Sequence, residues 1–339
     1  MQHKLTSGPL LDQTGNLVEA GYAFSLVKDY DRKAIKAGKM RIKEWDYYYI
    51  GNNDYGIALT IADNSYMNLM SVSLLNFKER KFHTKSYMQA FSNGKVGLPS
   101  SSKQGDVCFK SKNCEMNFYN DGKERHLVCY FKDLHGGKDF TCDVTLEETN
   151  EGSMVIATPF NKSKHFYYNQ KINCLKAKGQ ATFDGVTYSM DDCYGVLDWG
   201  RGVWTYSNTW YWSSMSGQYN NERIGFNLGY GFGDTSAASE NMFFYKDKAY
   251  KLNDVTFEIP GDGTKKIDYM KPWKFTSKDG SINMTFEPII DRHDDTDVIV
   301  IKSLQHQVFG KFSGYIIADN KKVEFKDMLG FAEKVRNCW

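Results

Sequence analysis

The 339-residue sequence has only six prolines, no long apolar run and no excess of charge of either sign. Its 43 basic and 41 acidic residues give a net charge of +2, which is not the electrostatic footprint of a nucleic-acid-binding protein. No window is apolar enough to span a bilayer, and residues 1–15 lack the apolar core of a signal peptide. The seven cysteines follow no disulfide framework. We therefore expect a cytoplasmic protein without an integral membrane segment or a nucleic-acid partner.

Sequence motifs for metal and nucleotide chemistry are also missing. Cys108 and Cys114 have no cysteine or histidine partners at zinc spacing. There is no P-loop, no His-Glu-x-x-His and no Gly-x-Ser-x-Gly elbow. The acidic stretch at residues 291–297 lacks the glycine and the terminal glutamate of an EF-hand. The glycines of residues 225–233 precede no helical pattern, so they do not predict a dinucleotide-binding loop. We expect no metal and no cofactor.

The residues that are abundant favour β-sheet. Aromatic residues make up 15% of the chain. Apolar side chains alternate with small or polar ones at residues 55–62, 140–146, 255–259 and 282–286, and Asp-Gly or Asn-Gly pairs typical of tight hairpins separate such runs. This pattern predicts an all-β protein with little helix. Residues 29–39 are the one candidate for a short surface helix, and the tail at 325–335 favours strand.

Large antiparallel sheets must close into barrels or pack face to face. A chain of this length also exceeds the usual size of one domain. We therefore predict two tandem antiparallel barrels or half-barrels, an N-terminal domain at residues 1–175 and a C-terminal domain at 176–339. The boundary is placed in the polar, weakly periodic stretch at residues 169–185.

The stretch from Tyr194 to Trp212 combines four indoles with one acid, Asp198, and one base, Arg201, each close to glycine. The two charged groups form either a structural ion pair at a strand end or the floor of a pocket. Burial among aromatic rings raises the pKa of a carboxyl group and suits a general acid, whereas a nearby guanidinium opposes that shift. Trp210 and Trp212 alternate along a strand, as either a core stripe or a ligand wall.

A second acid, Glu240, stands before the apolar run at residues 242–245. It is either at an exposed strand end or buried and paired, with Arg201 and Arg292 as possible partners. Gln307 lies ahead of another apolar run and can point into a barrel.

Five segments carry a resemblance to a known family: Arg41–Tyr48, Leu197–Trp204, Gly225–Gly229, Ser239–Asn241 and Phe309–Gly314. Over nearly its whole length the chain resembles the bacterial domain-of-unknown-function family DUF2804, and the Asp-Trp-Gly-Arg-Gly motif at residues 198–202 is the most specific part. That family is distantly similar to tandem lipocalin-like proteins, including carotenoid hydratases, tocopherol cyclase and fungal cyclases of the Diels–Alderase type. The resemblance implies two lipocalin-like barrels with a ligand cavity in or between them. It also implies hydration or cyclisation of lipophilic molecules without a metal or nucleotide.

The leading hypothesis is a cofactor-independent acid–base enzyme, of the hydratase/lyase, isomerase or cyclase type, acting on a small, partly apolar molecule in a β-barrel cavity. Asp198 or Glu240 would transfer the proton, and Arg201 would act with them by orienting an anionic or carbonyl group. The candidate substrate-binding residues are Trp199, Trp204, Tyr206, Trp210, Trp212, Asn227, Asn241, Arg292 and Gln307. Two alternatives remain open. One is a glycoside-active enzyme with paired carboxylates and an aromatic platform, and the other is a non-catalytic lipid- or isoprenoid-binding protein.

Overall fold

The structure is a computed structural model that describes residues 2–149, 152–264, 266–298 and 301–338. Nearly all of its regular structure is β-strand. The strands are β1 (Gly8–Pro9), β2 (Gly21–Ala23), β3 (Lys28–Asp29), β4 (Ile42–Gly51), β5 (Tyr55–Asp63), β6 (Met67–Asn76), β7 (Lys81–Ala90), β8 (Val107–Lys110), β9 (Cys114–Asn120), β10 (Glu124–His135), β11 (Lys138–Glu147), β12 (Met154–Pro159), β13 (Phe166–Phe183), β14 (Val186–Ser189), β15 (Tyr194–Val203), β16 (Ser207–Tyr219), β17 (Glu222–Tyr230), β18 (Met242–Tyr245), β19 (Lys248–Lys251), β20 (Thr256–Glu258), β21 (Trp273–Thr276), β22 (Ile282–Val298), β23 (Ile301–Ala318) and β24 (Lys321–Cys338).

Helical structure in the described residues is confined to two 3-10 turns, Arg32–Ala34 and Lys39–Arg41. The surface helix predicted at residues 29–39 is therefore wrong. The chain enters that stretch in extended form, because β3 pairs in parallel with β1, and Asp31 then caps only a single turn. Each helical segment among the described residues is too short to cross a bilayer. All seven cysteines are free thiols.

Apart from the parallel pair of β1 and β3, the strands form two large antiparallel sheets. The first has the order β7-β6-β5-β4-β15-β13-β11-β10-β9-β8, with β12 and β14 also pairing with β13 and with β2 added to β12. The second has the order β19-β18-β17-β16-β24-β23-β22-β21-β20. Each sheet curls around an apolar core of its own. The prediction of an all-β fold with two tandem half-barrels is confirmed.

The change from one sheet to the other falls between Val203 and Ser207, not at the boundary predicted at 175/176. The sequence predicts an irregular junction at residues 169–185, but most of these residues belong to the 18-residue strand β13. Its first ten residues are buried, so the alternation typical of a half-exposed strand is absent. Strand β15, which carries the Asp-Trp-Gly-Arg-Gly motif, lies between β13 and β4. The motif therefore belongs to the first sheet and not to the C-terminal one.

The two half-barrels pack against each other through their outer faces. One apolar cluster contains Tyr47 and Tyr49 of the first sheet together with Trp212, Phe309 and Phe331 of the second. The ring centroids of Tyr47 and Trp212 are 6.1 Å apart, and those of Tyr49 and Phe331 are 5.7 Å apart. Side chains on these outer faces are consequently buried without belonging to either half-barrel core.

Close packing on β15 requires glycine at position 200. A Cβ atom at Gly200 would overlap the indole of Trp45 on the neighbouring strand β4. We expect Gly200→Ala to lower the free energy of unfolding by about 2 kcal/mol or more, because an extra methyl group in a packed layer forces its neighbours to move. Urea denaturation measures this change. Gly38→Ala is the control, since nothing lies within 4 Å of a Cβ at Gly38; equal losses for both variants would contradict the prediction.

Candidate functional site

Strand β15 separates the two charged residues of its motif. Successive side chains of a strand point to opposite faces, and the three-residue spacing of Asp198 and Arg201 places them on different sides of the sheet. Trp199 belongs to the core of the first half-barrel, and Arg201 shares its face. Asp198 is on the other face, between the two sheets.

Arg201 is fully buried and is held by other partners than Asp198 or Glu240. Its guanidinium donates to a carboxylate oxygen of Asp46 at 3.0 Å and to the carbonyl oxygens of Trp45 at 2.7 Å and Pro99 at 2.9 Å. It also lies 4.2 Å from the ring centroid of Trp199. Burial raises the pKa of Asp46 although Arg201 favours its charged form. These contacts attach the segment that contains Pro99 to the sheet. Arg201 therefore forms a structural ion pair, and its carboxylate partner is Asp46.

Asp198 instead pairs with Lys171, its cross-strand neighbour on β13. The Nζ atom of Lys171 is 2.8 Å from Oδ2 of Asp198, and the Nδ2 atom of Asn169 donates to Oδ1 at 2.7 Å. Lys171 also contacts the second sheet, because its Nζ atom lies 3.8 Å from the ring centroid of Trp212. The ion pair is thus buried where the two half-barrels meet.

The second sheet presents a matching set of polar groups. The Nε1 atom of Trp212 donates to Oδ1 of Asn227 at 2.7 Å, and that of Trp210 donates to Oε1 of Glu333 at 2.8 Å. Gln307 donates to the other carboxylate oxygen of Glu333 at 3.0 Å. We call the polar groups between the sheets, all buried except the half-buried Arg292, the inter-sheet polar cluster; it comprises Asn169, Lys171, Asp198, Asn227, Glu240, Arg292, Gln307 and Glu333.

Arg292 and Glu240 complete the cluster from two sides. Arg292 donates to Oε1 of Gln307 and, at 2.8 Å, to Oγ of Ser73 on the first sheet. The backbone carbonyl of Glu240 accepts from Nδ2 of Asn227 at 2.8 Å. The carboxyl group of Glu240 lies close to Gly229, where a Cβ atom would come within 2.7 Å of Oε1. A glycine on β17 therefore makes room for this acid.

Burial changes the protonation of both glutamates. It raises the pKa of Glu333 to about 7, although Trp210, Lys171 and Arg292 favour the charged form. It also raises the pKa of Glu240, against the attraction of Lys171. The charge of Asp198 raises both values further. The cluster thus holds one carboxyl group that is half-protonated near neutral pH beside a buried ion pair.

The remaining predicted residues lie around or outside this cluster. The ring of Trp204 is 5.3 Å from that of Trp45 and 5.8 Å from that of Trp210, in an aromatic layer at the sheet interface. Asn241 accepts from the backbone amide of Gly229 at 2.7 Å and anchors the chain beside Glu240. Tyr206 is exposed, Trp199 lies in the core of the first half-barrel, and Arg201 lies on that same inner face. The structure therefore does not bring these last three together with Asp198 and Glu240.

Comparison with known proteins identifies the family. The family model described as Domain of unknown function (DUF2804) matches residues 2–339. The chain belongs to this family. The predicted membership is confirmed, and no curated protein sequence matches this DUF2804 protein significantly.

Two solved structures are similar to this DUF2804 protein at low sequence identity. A crystal structure described as a “putative AttH” from Nitrosomonas europaea is 11% identical, with a TM-score of 0.52, covering 90% of this chain and 95% of that chain. Kievitone hydratase from Nectria haematococca is 12% identical, with a TM-score of 0.49 and 88% coverage of each chain. The first likeness supports the fold alone, and the second is too weak to support an argument.

Sequence reasoning missed Lys171, Asn169 and Glu333. Lys171 and Asn169 fall in the stretch in which the domain boundary is predicted, and Glu333 falls in the tail, for which a strand but no functional role is predicted. One available signal was the polar triplet at residues 169–171, which directly follows two tyrosines. Polar residues inside an aromatic strand indicate a buried hydrogen-bonded layer.

The polar atoms of the cluster that could contact a ligand are nitrogen and oxygen atoms. The Oδ1 atom of Asn169 is buried without a hydrogen-bond partner, so it can accept a hydrogen bond from a ligand. Within the described residues, no three His, Cys, Asp or Glu side chains are grouped so that they could hold a metal ion.

The raised pKa of Glu333 predicts a specific pH dependence of stability. Its pKa is 4.5 in an ordinary environment and about 7 here, so the folded state binds this proton more tightly than the unfolded chain. The resulting stabilisation is fully present below pH 4.5 and is lost as the pH rises to about 7. We expect the unfolding free energy of the wild type, relative to Glu333→Gln, to fall by about 3 kcal/mol across this range.

Chemical denaturation at a series of pH values measures this difference. Glu324→Gln is the matched control, because Glu324 is an exposed carboxylate beside Lys322 on the same strand, β24. A difference between wild type and Glu333→Gln that stays constant with pH would contradict the pKa shift.

Proposed function

We propose that this DUF2804 protein is a cofactor-independent acid–base enzyme that acts on a small, partly apolar molecule bound between its two half-barrels. The observation that supports this proposal is the inter-sheet polar cluster, in which Glu333, with a pKa of about 7, lies among indole rings near the Lys171–Asp198 ion pair. A general acid or base is most effective when its pKa is near the working pH.

Glu333 is the proposed proton-transfer group, because both its protonated and its ionised forms are populated near neutral pH. Glu240 is the proposed second group, since burial also raises its pKa. The two acids share Lys171 and Asp198 as neighbouring charges, so they titrate as a coupled system. One can therefore give a proton while the other receives one.

Lys171 is proposed to stabilise negative charge that develops on the substrate, for example on a carbonyl oxygen. Its ammonium group is positioned by Asp198 and by the ring of Trp212, and a preorganised charge in a water-poor site stabilises a transition state effectively. Trp210 and Trp212 would form the apolar wall of the site. Arg292 would act indirectly, by holding Gln307 against Glu333.

These roles suit reactions that move a proton to or from carbon. In hydration of an activated double bond, a protonated Glu333 would give its proton to one carbon. A water molecule would add hydroxide to the other carbon and give its proton to ionised Glu240. Elimination is the reverse, while isomerisation and cyclisation need the same proton transfers without net addition of water.

The two alternatives differ in what they require. Glycoside hydrolysis by paired carboxylates requires a cleft that admits a sugar chain, whereas Asp198 and Glu240 are only 7% and 6% exposed. A non-catalytic binding protein needs the same apolar wall but no proton transfer. Incorporation of deuterium into the bound molecule therefore distinguishes an enzyme from a binding protein.

Heavy water provides a test that does not require the substrate to be known. An apolar small-molecule extract of the source cells is incubated in heavy water with the protein, and high-resolution mass spectrometry detects deuterium bound to carbon. We expect the wild type to label a few compounds above the protein-free background. Glu333→Gln should label them at least about 100-fold more slowly, which is the usual contribution of a general acid or base.

The control is Glu324→Gln, which removes an exposed carboxylate from the same strand and should label as the wild type does. Circular dichroism confirms that each variant is folded. Labelling by Glu333→Gln at the wild-type rate would refute the proposed role of Glu333. Compounds that are retained by the wild type but never labelled would identify a binding protein instead of an enzyme.

A further inference from the structure

A cleft of about 500 Å³ opens where the two half-barrels meet, and none of its lining residues belongs to the inter-sheet polar cluster. The first sheet contributes turn residues on one side, and the second sheet contributes β22 and β23 on the other. The lining residues are Asn53, Asp54, Phe77, Lys78, Arg80, Glu287, Pro288, Ile289 and Lys311. This volume is within the range of small-molecule sites in proteins. We call it the seam cleft.

The apolar wall of the seam cleft is formed by Phe77, Pro288 and Ile289. The pairing of β22 with β23 shifts register between Pro288 and Ile290, which leaves Ile289 as the extra residue of a β-bulge. Proline has no N–H to donate to the ladder, so a bulge suits this position. Phe77 is buried, and its ring centroid is 5.8 Å from that of Phe309. The wall is thus anchored in the core between the sheets.

The charged rim of the seam cleft has an excess of positive groups. Lys78 is neutralised by Asp54, with Nζ 2.7 Å from the carboxylate. Arg80 and Lys311 form no ion pair with any residue in the described part of the chain. Glu287 is the one remaining acid, and it is the cross-strand neighbour of Lys311. Three cations therefore face two anions, and one of the cations, Arg80, has a planar guanidinium that suits carboxylates.

We propose that the seam cleft binds a small amphipathic carboxylate. The apolar body of the ligand contacts Phe77, Pro288 and Ile289, and its carboxylate lies between Arg80 of the first sheet and Lys311 of the second. Such a ligand bridges the two half-barrels. This site is separate from the proposed acid–base chemistry and does not depend on it.

A titration followed by fluorine NMR tests this proposal with para-trifluoromethylbenzoate as the probe. Its neutral analogue, para-trifluoromethylbenzamide, has nearly the same shape without the charge. We expect saturable binding of the benzoate to the full-length protein and binding of the benzamide that is about tenfold weaker. Arg80→Gln and Lys311→Gln should each weaken benzoate binding by about two- to fivefold, as expected for partly exposed charge pairs, and added salt should weaken it as well.

Lys78→Gln is the matched control, because Lys78 lines the same cleft but its charge is already compensated by Asp54. We expect it to change the affinity for benzoate less than twofold, by the same reasoning about exposed ion pairs. All three substituted residues are surface side chains, so the variants should fold. The proposal is overturned if no saturable binding occurs, if the benzamide binds as tightly as the benzoate, or if Lys78→Gln weakens binding as much as Arg80→Gln.

Discussion

The two half-barrels meet at a buried ion pair between Lys171 and Asp198. Removing one partner of such a pair leaves an uncompensated charge, at a cost of about 3–5 kcal/mol, so the surrounding groups must be arranged to satisfy both. On the first sheet, Asn169 satisfies the carboxylate of Asp198 by donating a hydrogen bond to it. On the second sheet, the ring of Trp212 faces the ammonium group of Lys171. The interface is therefore specified by polar contacts as well as by aromatic packing.

The same burial gives the cluster its chemical character. Glu333 receives hydrogen bonds from Trp210 and Gln307, yet its pKa is still raised, because desolvation outweighs the donors. Arg201 has a structural role instead. Its carbonyl and carboxylate partners surround the guanidinium completely, and the result is a fixed structural contact. Whether a buried charge has a chemical or a structural role depends on how completely its partners satisfy it.

The sequence predicted those strands in which apolar side chains alternate with small or polar ones, whether the second face is exposed, as in β11, or mostly buried, as in β5. Alternation at residues 55–62 and 140–146 corresponds to β5 and β11, and the tail at residues 325–335 is part of β24. Strand β13 was not predicted, because both faces of its buried first ten residues carry apolar and polar side chains together, so the two-residue alternation is absent. The separation of Asp198 from Arg201 follows from strand geometry alone and could have been predicted.

The composition of the polar cluster could not be predicted in the same way. Lys171 meets Asp198 only because β13 pairs with β15 in one particular register, and Glu333 meets Gln307 only through the pairing of β23 with β24. Such registers are set by contacts between distant parts of the chain. The residues next to Lys171 and Glu333 in the sequence therefore do not predict these strand registers.

The position of β15 also constrains how the chain can acquire its structure during synthesis. Strand β4 pairs with β5 on one side, but its other neighbour, β15, is made only after β13 and β14. Until residues 194–203 leave the ribosome, one edge of β4 has no partner, and exposed strand edges are prone to mispairing. Closure of the first half-barrel therefore comes late in translation, and a fragment ending at residue 175 would lack the strand that joins β4 to β13.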